Sequence, residues 1–199
     1  MAVQSGVYRG VSAEERAARR RRRLLDAALS VWADPGKRTT MTAVCAEAGL
    51  TERYFYESFS GLDEALTAVL DAVATEIETT TLAAADAAGP EPADRIRALV
   101  GTFVELLVAD PRKGRVAIVE AAALPGLRAR RTDLLRHFAR LVAEEAQVSK
   151  PARHEDELAG LLFVGGMAEV VTAWLDGALD VSPEEVVETA SRGFLGLYS

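Results

Sequence analysis

Residues 39–66 read TTMTAVCAEAGLTERYFYESFSGLDEAL. Helix starts and stops follow one another at short intervals in this stretch. Thr40 is a side-chain cap ahead of a short helix, Met41 to Ala48. Gly49 stops that helix, because glycine takes the left-handed backbone cheaply. Thr51 caps a further short helix through about Tyr56, and Ser60-Gly61-Leu62-Asp63 opens a longer one. Two short helices joined by a turn containing glycine form a helix-turn-helix. The residue sizes fit this reading. Cys45 and Ala46 are small where the first helix must let the second approach. Leu50 and Phe55 are placed to pack inward, which leaves Thr51, Glu52, Arg53 and Tyr54 outward. A second helix held in this way can enter the major groove of DNA with its N-terminal residues at base edges.

Working outward, the periodicity stays helical. Ser12-Ala13-Glu14-Glu15 is a capping box that opens the first helix. Leu25, Ala28, Leu29 and Trp32 line one face of it, Asp34-Pro35-Gly36 ends it, and Phe59 can close the core against Leu25 and Trp32. The fourth helix carries the stripe Leu62, Leu66, Val69, Leu70, Val73, Ile77, and Ala83 to Pro92 reads as an Ala/Gly/Pro linker. A fifth helix from about Ala93 turns Ile96, Leu99, Val100, Phe103 and Leu107 inward. Asp110-Pro111 starts a sixth, which runs to about Ala123 and is broken by Pro125-Gly126. A seventh carries Leu134, Leu135, Phe138, Leu141 and Val142. An eighth spans about Glu155 to Leu175 and is apolar on nearly every side from Leu158 to Val171, which predicts burial all round. Ser182-Pro183-Glu184-Glu185 caps a ninth, with Val186, Val187, Ala190, Phe194 and Leu197 inward. No segment reads as a strand. The expected fold is all-α with about nine helices: a three-helix unit over residues 1–60 and a helical domain over 61–199.

Composition narrows the function classes. Alanine is about 18% of the 199 residues, and Arg outnumbers Lys 20 to 3, as suits a helix-rich chain. No apolar run is read as reaching the roughly 18–20 residues that span a bilayer. Met1 to Gly6 has no secretory pattern, and the single Cys45 excludes a disulfide framework or thiolate cluster. The cytosol is the expected compartment. Residues 1–60 carry a net charge of +3 and residues 61–199 a net charge of −10. Arg16 and Arg19 to Arg23 concentrate six positive charges in eight residues. That run reads either as a solvated helix face or as a polyanion contact.

The sequence resembles the tetracycline-repressor (TetR) type of bacterial regulators. The resembling residues are Leu24 to Ala28, Thr39 to Thr51, Arg53, Phe55-Tyr56, Phe59 and Leu62 to Leu66. The resemblance implies a three-helix DNA-binding domain and a larger helical domain that dimerises and binds a small effector. It implies a phosphate contact by Thr40 and recognition-helix contacts by Thr51, Arg53 and Tyr54. It also implies a DNA-backbone hydrogen bond from Tyr56. Two positions depart from the pattern. Glu57 stands where a neutral or basic residue is common, and Leu62 where lysine is common.

The expected partners are a double-stranded DNA operator, a second copy of the chain and an unidentified effector, with no cofactor, metal or membrane. The effector would be mostly apolar, held inside residues 61–199. Phe103, Leu107, Phe138, Phe163 and Met167 are the candidate walls, and Glu120 and His137 the candidate polar groups. Each polar candidate also has a plain reading, as a surface carboxylate and a structural histidine. The homodimer would be built on the eighth and ninth helices, with Leu158, Leu161, Gly165, Val186 and Phe194 at the interface. The competing readings are a helical protein-binding adaptor and a helical enzyme. Against the enzyme, His137 and His154 lie seventeen apart with no metal-ligand pattern, and no Gly-rich phosphate loop follows a strand.

Overall fold

A computed structural model describes residues 12–146 and 154–197. Met1 to Gly6 lies outside the described residues, as does the side chain of His154. The described residues form nine helical runs and no strand. They fall into two compact units, one up to Val69 and the other from Leu70. The division lies inside the fourth helix, not between residues 60 and 61.

The first unit contains α1 (Ala13–Trp32), α2 (Met41–Ala48) and α3 (Glu52–Tyr56), and takes the start of α4 (Leu62–Ala87). Ser12 caps α1 in the expected box: its hydroxyl accepts from Glu15 N–H at 3.0 Å, and its own N–H donates to the Glu15 carboxylate at 2.7 Å. The buried face of α1 is centred one residue from the expected position. Leu24 is fully buried together with Ala27, Ala28, Val31 and Trp32, whereas Leu25 is half-buried. The centre of the face is set by the i, i+3, i+4, i+7 row 24, 27, 28, 31. Phe55 and Phe59 complete this core, with ring centroids 5.4 Å apart.

The second unit holds the rest of α4, then α5 (Pro92–Ala109), α7 (Arg128–Ala146), α8 (His154–Leu175) and α9 (Pro183–Leu197). Between α5 and α7 lies a helical run, α6, in three pieces: Pro111–Gly114, a π-helical Arg115–Glu120, and Ala121–Ala123. A 3-10 turn, Pro125–Leu127, leads into α7. Two differences from the sequence reading have plain causes. The expected linker from Ala83 is helical to Ala87, because alanine is the strongest helix former and Ala85 is fully buried. The π turn inside α6 has no signature in composition or spacing.

The core of the second unit is built from α5, α7, α8 and α9. Val104, Leu107, Met167, Val171 and Val186 form one buried cluster, and Ile96, Val100, Val142 and Phe194 another. Leu107, Val186 and Phe194 are therefore internal. α7 and α8 cross at backbone contact: a Cβ on Gly160 would collide with the carbonyl of Ala139. Arg95 ties α4, α5 and α7 together, donating to Glu145 at 2.8 Å and to Asp86 at 2.9 Å.

α8 corrects two expectations. The stretch Glu157–Leu175 has a mean hydropathy of 1.8 and is long and apolar enough, by length and composition, to cross a membrane. Within the apolar run Leu158–Leu175 only Glu169 carries a charge. It is also not buried all round. Met167 and Val171 face inward, but Leu158, Leu161, Leu162, Gly165 and Gly166 are exposed. Residues 158, 161, 162 and 165 share one helical face.

Candidate functional site

The helix-turn-helix begins at Thr40, whose hydroxyl accepts from Ala43 N–H at 3.1 Å and fixes the start of α2. The hydroxyl proton of Thr40 is left to donate. Gly49 adopts φ +60°, and Leu50 N–H closes back on the carbonyl of Cys45 at 3.0 Å. Cys45 is buried at the helix crossing, and burial pushes its thiol pKa up. Ala46, expected beside it, is exposed instead. The reversal delivers α3 with Phe55 fully buried and its other residues outward.

The outward residues are not equivalent. Thr51 is exposed and its side chain makes no cap hydrogen bond, so it is available to a ligand. Tyr56 is 58% exposed. Arg53 is 85% exposed and holds Glu57 at 3.1 Å, one turn away. Tyr54 is half-buried, because the guanidinium of Arg20 lies 4.5 Å over its ring. Glu57 also meets Arg20 at 3.5 Å. The acidic residue that departs from the family pattern thus bridges α1 and the exposed arginine of α3.

The arginine run divides in two. Arg20, Arg21 and Arg23 are fasteners within the first unit. Arg21 donates to the carbonyl of Ser58 and stacks 4.2 Å over Phe59. Arg23 donates to the carbonyl of Ala48 at 2.6 Å, closing the end of α2. Arg19 and Arg22 are exposed. Neither plain reading of the run covers this result. Arg38, just ahead of the α2 N-terminus, is exposed as well, and the sequence reading passed over it. Its position beside a capped helix start was the available signal. Replacing Arg19 and Arg22 by alanine is expected to lower the log–log salt slope of DNA binding by up to about two, at roughly 0.9 per phosphate contact. Titration by fluorescence anisotropy at several salt concentrations checks this, and an unchanged slope would return both to the solvent.

In the second unit a cavity of about 140 Å³ lies among α4, α5, α6, α7 and α8. Phe103, Phe138, Phe163 and Met167 are on its wall, as are Leu70, Ala74, Ile118 and Leu134. Three other candidates are placed elsewhere. Leu107 is buried in the core between α5 and α8. Glu120 is engaged by Arg115 at 3.1 Å. The π turn supplies the reason: it brings residues five apart together, while Ala117 and Ile118 take the cavity side. His137 pairs with Glu78 at 2.9 Å, in a polar cleft that also holds Asp71, Arg130 and Asp133. Of the five interface candidates, Leu158, Leu161 and Gly165 are exposed. Val186 and Phe194 are not available to a partner, because they fill the chain's own core.

No family model and no curated protein matches the sequence. Solved structures do match the fold. The fatty acid degradation regulator FadR from Bacillus halodurans is 17% identical with a TM-score of 0.76, over 88% of this chain and 94% of that one. A TetR-like transcriptional regulator from Rhodococcus sp. RHA1 is 20% identical with a TM-score of 0.71, over 88% and 93%. FadR from Bacillus subtilis, solved in complex with stearoyl-CoA, is 16% identical with a TM-score of 0.73, over 87% and 97%. The chain has the all-α fold of these TetR-like regulators, as the helix-turn-helix residues led us to expect.

Proposed function

We propose that the chain is a DNA-binding transcriptional regulator, acting in the cytosol as a homodimer that represses from a roughly palindromic operator and is released by a small lipophilic effector. The observation that carries this reading is the α2–turn–α3 geometry. It locks Phe55 inside and presents Thr51, Arg53 and Tyr56 together on one short exposed helix. In this reading Arg53 reads a base edge, Thr51 and Tyr54 flank it, and Tyr56 and Thr40 hold phosphates. Recognition helices of the two protomers would lie ~34–36 Å apart, one turn of DNA.

The fold supports a regulator rather than an enzyme, since the fold relatives named above are regulators. The exposed face of α8 supports self-association, because soluble monomers seldom leave such an apolar stripe to water. Its inner face carries Met167 and Val171 into the core of the second unit. The apolar cavity supports an effector site, and α4 supplies residues to both units, which gives a ligand a route to the DNA-binding end. Coupling of ~1–3 kcal/mol is typical, and DNA must weaken the ligand by the same factor.

The test is fluorescence anisotropy with duplex DNA from upstream of the chain's own gene, against a random duplex. Tighter binding to the upstream DNA is expected. Arg53→Ala should cost ~1–3 kcal/mol there and relax specificity at one base pair. Tyr56→Phe should weaken both duplexes alike, since a phosphate contact positions without specifying. Absence of DNA binding would favour the adaptor reading. An equal loss on both duplexes for Arg53→Ala would remove its base-reading role.

A further inference from the structure

We infer that the effector is a lipophilic acid, an apolar body carrying one carboxylate whose charge is met by Arg131. The inference rests on the cavity of the second unit being the effector site. Of the side chains that line it, only Thr81 and Arg131 are polar. The Thr81 hydroxyl donates to the carbonyl of Glu78 at 3.3 Å, so it offers a ligand lone pairs and no proton. Arg131 differs. Its Nε is buried and has no hydrogen-bond partner among the described residues.

This is out of character for the unit that contains it. Residues 61–199 carry 23 acidic side chains against 13 basic ones, so carboxylates are plentiful. Other cations nearby have used them. Arg130, the adjacent residue, is held by Asp71 at 2.6 Å. Lys113 meets Glu76 at 2.7 Å, and Arg115 meets both Glu120 and Asp176. Arg131 has no ion pair among the described residues, although it stands on the wall of an apolar cavity. There an Nε–H without an acceptor disfavours a cationic ligand, and it gains less from a neutral acceptor than from a carboxylate. An acid supplies the missing acceptor and leaves the rest of the wall to its apolar body.

Size sets the body. A cavity of about 140 Å³ is close to the ~150 Å³ of a dry cavity that takes benzene. A single aromatic ring on a short acid tail is therefore the fitting probe. We choose 3-phenylpropionate, with 3-phenylpropan-1-ol as its uncharged twin.

The experiment is titration calorimetry of the full chain with each probe. The acid should bind at least about tenfold more tightly than the alcohol. Arg131→Met, which keeps the aliphatic stem, should erase that preference and change the binding of the alcohol far less than that of the acid. Arg131→Lys should keep most of it and guards against a Met variant that merely spoils the cavity. Equal binding of acid and alcohol, binding of neither, or a preference that survives Arg131→Met would overturn the inference. Operator anisotropy with the same probes separates this from the effector reading. An acid bound through Arg131 that leaves the operator in place sinks the effector reading alone. A neutral compound that releases the operator, while acids do not bind, sinks the present inference alone.

Discussion

Phe55→Ala is expected to destabilise the first unit by about 3–5 kcal/mol, the cost of emptying a fully buried aromatic site. Phe55 is 0% exposed, and its ring sits between those of Phe59 and Tyr56, at 5.4 and 5.9 Å. α3 has five residues, too few to hold a helix by backbone hydrogen bonds alone. Its orientation therefore depends chiefly on this buried anchor, with Arg20 holding Tyr54 and Glu57 from outside. Amide hydrogen exchange gives the reading: protection should fall across α1 to α3 and persist in α5 and α9. The exposed neighbours Arg53 and Tyr56 should be replaceable with almost no loss of protection. A Phe55→Ala chain that keeps protection in α2 and α3 would show that the turn and caps, not the anchor, hold the motif.

The second large effect concerns assembly. Leu158→Glu with Leu162→Glu is expected to convert a dimer into a monomer of 21.3 kDa, measured by light scattering at micromolar concentration. The two leucines are 62% and 59% exposed in the single chain, so the charges cost the protomer little. In an interface they would place four carboxylates in an apolar contact. Operator affinity should then fall by ~10²–10⁴, because each half-site would be bound without the effective concentration supplied by the other. A mass unchanged by the substitutions would take α8 out of the interface.

The parts that were legible in the sequence are those set by local rules. Caps, Gly49 and the short spacing of residues 39–66 read directly as helix starts and stops, and the resemblance rested on the same residues. The arginine run was legible in principle but read only as charge. Arg20 and Arg21 precede Leu24 by four and three residues and so share its buried side. Arg19 and Arg22 precede it by five and two and face away. The phase of Leu24 thus separates Arg20 and Arg21 from Arg19 and Arg22, whereas Arg23, one residue before Leu24, reaches the carbonyl of Ala48 from an exposed position. Two features could not be read from one chain. The destination of Glu120 depends on a π turn that no residue type demands. The outward face of α8 looks like core by composition, since an apolar residue at a partner's surface and one in the interior obey the same pattern. Phe194 and Val186 were misplaced for the same reason.

A π turn is an α-helix with one residue too many. Deleting a residue anywhere in Arg115–Glu120 would let the run relax into regular α-helix with its ends still joined. The helical pieces on either side would keep their register, because the π turn absorbs its extra residue locally, and only the side chains within the turn would move. Ala117 and Ile118 would leave their present alignment, Arg115 and Glu120 would lose their stacking, and the surrounding core would keep its residues. Single-residue loss at this place is therefore a route by which a lineage could reshape what the cavity admits without rebuilding the protein around it.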